Sequence, residues 1–176
     1  MTSKRSLSFL ATSALLLAAS LPALQAADPP KAPAPEELLK NGDFEKGVAN
    51  WRGDRKIVVE EGKPENHVAE VVSTKRQARS FQQDIDTRGM KDITLKFRMK
   101  PSADYAGRGV QLRFVRHGGG FTFNNMDLKG GEDWKDHTWK FSEINNEPKL
   151  TFIVEVEDGD AGSVFFDDFS IVEDKK

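Results

Sequence analysis

From Asp92 to Lys100 the chain reads DITLKFRMK. Ile93, Leu95, Phe97 and Met99 alternate with Thr94, Lys96, Arg98 and Lys100. Successive side chains of an extended strand point to opposite faces, so this stretch predicts a strand with one face buried and the other wet. The same grammar returns in VQLRFVR, with Val110, Leu112 and Phe114 inward and Gln111, Arg113 and Val115 outward. It returns again in HTWKF, with Trp139 and Phe141 inward, and in LTFIVEV, with Leu150, Phe152, Val154 and Val156 inward. Shorter runs with the same texture are KIVVEE (Lys56–Glu61), HVAEVVS (His67–Ser73), SFQQDI (Ser80–Ile85) and SVFFDDFSIV (Ser163–Val172). With an opening strand around Leu38–Phe44 the pattern predicts about nine strands. Turn residues close each run and no stretch sustains a helical period, so the fold class is all-β, a β-sandwich or jelly roll of two antiparallel sheets. RHGGGFTFNN and KGGEDW are expected to be the long loops.

Outside this region the texture differs. Residues 1–26 carry Lys4 and Arg5, then an apolar and small-residue run, then a small-residue exit at Ala26, the pattern of a secretory signal peptide. DPPKAPAPEELL follows, holding four of the eight prolines, and reads as an extended linker. Removal of residues 1–26 leaves 24 of the 26 Lys and Arg against all 28 Asp and Glu, a formal charge of −4. A mixed-sign, slightly acidic chain does not suit nucleic acid, and no segment after the signal peptide suits a membrane span. The expected location is therefore secreted or periplasmic. There is no cysteine, which excludes disulfides, thiolate metal sites and a Cys nucleophile.

Nothing assembles an active site. The three histidines, His67, His117 and His137, lie in no nucleophile arrangement, and RHGGGF lacks the nucleophile elbow that would make its glycines an oxyanion loop. Carboxylate pairs such as Asp133 with Asp136, or Asp158 with Asp160, are what charged turns supply. Calcium is the metal that the composition favours, because it takes oxygen ligands. In NGDFE, Asp43 and Glu45 share one face of an extended strand while Phe44 enters the core; in FFDDFS, the adjacent Asp167 and Asp168 break the alternation and predict a bulge or a strand end.

These two ends carry a family resemblance. The stretch NGDFEKGVANW (Asn41–Trp51), the strand WKDHTWKF and the closing FFDDFSI together resemble the CenC-type carbohydrate-binding modules of bacterial secreted proteins. The resemblance covers almost all of Leu38–Val172 and divides the chain into signal peptide 1–26, Pro-rich linker 27–36, sandwich 37–173 and tail 174–176. It implies a galactose-binding-like jelly roll, no catalysis, and a structural Ca2+ tying the first strand to the last. Carried onto this chain, Glu45 and Asp167 would be its side-chain ligands, with Asp43 as a third side chain or a carbonyl donor.

A sugar needs a flat aromatic surface and planar hydrogen-bonding side chains. Phe121, Phe123, Tyr105 and Phe165 are the aromatics left out of the inward phase, and Lys96, Arg98, Gln111, Arg113, Ile153 and Glu155 the outward residues of the expected sugar-binding strands. The candidate carbohydrate-binding residues are thus Arg98, Gln111, Arg113, Phe121, Phe123 and Glu155. So basic a face suits an acidic or sulfated glycan better than a neutral one; the competing reading is a plain solvated sheet face. The function expected is a non-catalytic module binding a polysaccharide or glycan. The alternatives are an envelope domain contacting another secreted or envelope protein, and, last, a small glycan hydrolase.

Overall fold

The computed structural model describes residues 36–174 apart from Gly89, Glu143, Asn145 and Asn146. The expected signal peptide, all of the linker but Glu36, and the last two residues of the tail lie outside the described residues.

Among the described residues ten strands are formed: β1 (Arg52–Gly53), β2 (Lys56–Glu60), β3 (Lys63–Val72), β4 (Arg79–Asp86), β5 (Ile93–Pro101), β6 (Val110–Arg116), β7 (Phe121–Met126), β8 (Lys135–Phe141), β9 (Lys149–Val156) and β10 (Ser163–Glu173). They build two five-stranded antiparallel sheets, a front sheet ordered β1-β4-β9-β6-β7 and a back sheet ordered β2-β3-β10-β5-β8. From β3 onward the chain switches sheets at every step except the β6–β7 hairpin. This is the jelly-roll way of pairing strands distant in sequence, and it matches the fold class predicted from the alternation. Among the described residues no helix is long and apolar enough to cross a membrane.

The inward phases read from the sequence are the core. Ile93, Leu95, Phe97 and Met99 of β5, Val110, Leu112 and Phe114 of β6, and Leu150, Phe152, Val154 and Val156 of β9 are all buried. At the centre sits Phe169, whose ring lies within 6.1 Å of those of Phe44, Trp51, Phe81, Phe97, Phe152 and Phe166. Strict alternation from Phe166 would turn residue 169 outward. The predicted bulge reverses it: the register slips between Asp167 and Ser170, and Asp168 takes φ 54°, so Phe166 and Phe169 both face inward.

Three expectations fail. The opening stretch Leu38–Phe44 is not a strand: beyond a bridge from Glu37 to Val172 it is a chain of turns, with φ 55° at both Asn41 and Phe44. Its organiser is Asn41, whose amide donates to the carbonyls of Gly47 and Ala49 and accepts from the Lys46 N–H, while its own carbonyl takes the Trp51 indole N–H at 2.9 Å. An asparagine side chain standing in for backbone partners competes with the sheet ladder here. Phe44 is still buried, between exposed Asp43 and Glu45, as the sequence predicts, but from a turn. Gly42 explains how this turn docks: its carbonyl accepts from Phe169 N at 3.0 Å, and a Cβ there would lie 1.8 Å from the Phe169 carbonyl oxygen. Second, GGGFTFNN is not all loop, because Phe121–Met126 pairs with β6 as the edge strand β7. Third, Tyr105 is core: it is buried, and its hydroxyl donates to Gly109 O and accepts from Gly109 N.

Candidate carbohydrate-binding face

The outer face of the front sheet is laid out by strand register. One row across it runs Phe123, Arg113, Ile153, Gln82 and Arg52. On one side lies Phe121, Val115, Thr151 and Asp84, and on the other Asn125, Gln111, Glu155 and Ser80. Directly paired residues in a ladder share a face. With strands about 4.8 Å apart, the row from β7 to β1 extends about 19 Å.

At the β7 end two aromatic rings lie open side by side. Phe121 is 56% and Phe123 49% exposed, with ring centroids 5.7 Å apart and planes tilted by 43°. Beside them the planar polar side chains are held in pairs: Gln111 Nε2 donates to Asn125 Oδ1 at 2.8 Å, and Arg113 Nη2 to Glu155 Oε2. At the far end Asp84 accepts from Thr151 Oγ1 at 2.8 Å and from Arg52 Nη2 at 2.9 Å, and His117 Nε2 stands 3.2 Å from the same threonine hydroxyl. Partial burial pushes the Asp84 carboxyl up, but the Thr151 and Arg52 contacts outweigh it and hold the group below the ordinary aspartate range. These polar side chains are thus oriented by their neighbours, which fixes donors and acceptors before a ligand arrives.

Five of the six residues expected to bind sugar, Gln111, Arg113, Phe121, Phe123 and Glu155, come together on this face. Arg98 does not. It and Lys96 belong to β5 in the back sheet, on the opposite side of the sandwich, because outward phase says nothing about which sheet a strand joins. Gln82, Asp84, Thr151, Asn125 and Arg52 complete the face; the signal for the first four was the outward phase of SFQQDI and LTFIVEV and the asparagines after Phe123. The basic character expected is also corrected. On this face Arg52 pairs with Asp84 and Arg113 with Glu155.

Arg98 lines a second groove on the back sheet together with Val58, Val68, Phe165, Lys100 and Trp134. Its Nη2 lies 2.7 Å from Glu60 Oε2 and 2.5 Å from Asp167 Oδ2, and its guanidinium carbon sits 4.3 Å from the centre of the Trp134 ring. Burial would lower the Arg98 pKa, but the Glu60 and Asp167 contacts overcome it and raise it further.

The residues expected to hold calcium do not fit the ion. Asp167 is engaged by Arg98 and by Asn66 Nδ2 at 2.9 Å, and its other oxygen accepts from Asp168 N. Glu45 gives one oxygen to His67 N and the other to His67 Nδ1, both at 2.8 Å. Asp43 is exposed, its Oδ1 facing Glu45 N at 3.4 Å. Among the described residues no group of three or more His, Asp or Glu side chains is arranged to hold a metal ion.

No protein-family profile and no curated protein matches the chain. Solved structures do. A family 61 carbohydrate-binding module, TmCBM61, in complex with beta-1,4-galactotriose matches with a TM-score of 0.61 and 19% identity over 79% of this chain and 99% of its own. The CBM22-1 xylan-binding domain of Paenibacillus barcinonensis Xyn10C matches with a TM-score of 0.61 and 15% identity, over 82% and 99% of the two chains. A family 16 carbohydrate-binding module matches with a TM-score of 0.63 and 16% identity, over 77% and 99%. At these identities the likeness is one of fold: the chain shares the β-sandwich jelly roll of carbohydrate-binding modules.

Proposed function

We propose that this protein is a non-catalytic glycan-binding module of CenC type that takes an extended polysaccharide across the outer face of the front sheet. The observation that carries the reading is the exposed pair Phe121 and Phe123, in register with Arg113, Gln111, Asn125 and Gln82. Apolar C–H faces of sugar rings lie on aromatic rings, while hydroxyls need planar donors and acceptors beside them. The face supplies both in adjacent rows, and the shared fold with modules that hold galactotriose or xylan supports the same use here. The signal-peptide reading of residues 1–26 supports binding outside the cytoplasm.

Among glycans, the charge pairing favours an uncharged chain. An acidic or sulfated ligand would have to draw Arg113 from Glu155 or Arg52 from Asp84, exchanging one ion pair for another with a carboxylate left behind. The test is affinity electrophoresis and calorimetry against soluble beta-1,4-galactan, xylan, a polyuronate and a sulfated chain. Retention by a neutral chain, abolished in the Phe121→Ala/Phe123→Ala double variant, is expected. Binding to the anionic chains alone overturns the neutral preference, and no retention by any of a broad glycan panel overturns the function.

A further inference from the structure

On the back sheet two acids are withdrawn from water next to each other. Glu60 at the end of β2 is 6% exposed and Asp167 at the β10 bulge 0%. They share one donor, Asn66 Nδ2, 2.9 Å from each. Two neighbouring anions cut off from solvent repel each other and lose hydration, so the folded state must neutralise them with a proton or with a cation between them. A calcium ion, which the family resemblance implies for Asp167, would need six to eight oxygen ligands. Instead the Arg98 side chain from β5, directly opposite Asp167 in the ladder, reaches both carboxylates with Nη2. Its Nε lies 2.9 Å from Asp168 Oδ2, the Trp134 ring covers its face, and Lys63 Nζ takes the other oxygen of Glu60 at 2.9 Å. A guanidinium suits this place because its fork meets two carboxylates at once and its plane stacks on an indole. A divalent ion bound to Asp167 would stand against that full positive charge.

We infer that Arg98 is the resident cation of this protein: it joins β2, β5 and β10 through Glu60 and Asp167, occupies the Asp167 carboxylate that the resemblance assigns to calcium, and folding is indifferent to divalent ions. The same geometry makes the junction dependent on one side chain. Removing Arg98 leaves two buried carboxylates opposed, a loss that removing the carboxylates with it should relieve.

The experiment is thermal unfolding of the full chain by circular dichroism, with millimolar calcium chloride and with EDTA, beside calorimetric titration of calcium into the chelator-treated protein. The expected result is one unfolding midpoint in both conditions and no calcium heat. Arg98→Met should lower the midpoint by roughly 6–20 °C, and Arg98→Met/Glu60→Gln/Asp167→Asn should recover most of that. A midpoint raised by calcium in the unaltered protein overturns the inference, since an ion binding only the folded form must raise it. So does an Arg98→Met variant as stable as the parent. If Arg98→Met does not fold, the calcium arms on the parent and the folding of the triple variant still decide.

Discussion

Replacing Phe123 by alanine separates binding from folding. The side chain keeps 49% of its surface exposed; for an aromatic residue of 150–250 Å² this is roughly 100 Å² of apolar surface. A sugar ring laid on it from one side covers about half of that, and at about 25 cal/mol per Å², counted on the protein side alone, the contact contributes about 1–2 kcal/mol. The expected loss is therefore roughly five- to thirty-fold in Kd, measured by calorimetry against the glycan that the parent protein binds. Stability should hardly move, because truncating an exposed side chain changes it by only about 0.5 kcal/mol or less. Lys96→Ala on the back sheet serves as control and should leave affinity unchanged. A folded Phe123→Ala variant that binds within twofold of the parent, or an equal loss in the Lys96 variant, would refute the placement of the site.

Phe169→Ala should do the reverse: it empties the aromatic centre at a cost of about 3–5 kcal/mol, a fall of roughly 6–20 °C in the midpoint of thermal melting. Gly42→Ala places a Cβ against the Phe169 carbonyl, and the forced shift should cost about 1–3 kcal/mol in chemical denaturation; a neutral effect would mean that the turn is not docked as described. Acid should weaken the fold. In Glu60 burial pushes the pKa up, but Arg98 and Lys63 hold it below the ordinary 4.5, and the His67 backbone N–H and imidazole hold Glu45 below it as well. A carboxylate whose folded pKa is depressed stabilises above its unfolded pKa and loses that contribution as pH falls through the folded one. Asp167, raised by burial despite Asn66 and Arg98, works in the opposite sense. The midpoint should decline as pH drops below about 4.5, and a midpoint that rises there would show Asp167 outweighing the other carboxylates.

The faces of the strands were legible because alternation is local. DITLKFRMK, VQLRFVR and LTFIVEV each place their own apolar residues inward whatever they pair with, and the Asp167–Asp168 break marks a bulge for the same reason. Which strands pair is decided by contacts far apart in sequence, so Arg98 and Arg113, both outward, look alike in the chain yet lie on opposite sides of the sandwich. Leu38–Phe44 reads as a strand because Phe44 enters the core between two acids, and only the reach of the Asn41 amide to residues five to eight positions on shows a turn. The glycines before Phe121 hid β7 behind a loop signal, although its two phenylalanines were already the aromatics left over from the core. Tyr105 was left over too, and its burial rests on a hydroxyl bond to a glycine four residues away that no periodicity encodes.

The most direct measurement is a glycan titration followed by amide and side-chain NMR shifts of the assigned protein. Shifts should concentrate along Phe123, Arg113, Ile153 and Gln82, with Phe121, Gln111 and Asn125 beside them, while the groove holding Arg98 and Trp134 stays still. Shifts centred on Arg98, Trp134 and Phe165, with the Phe121–Phe123 face unmoved, would contradict the placement of the sugar on the front sheet.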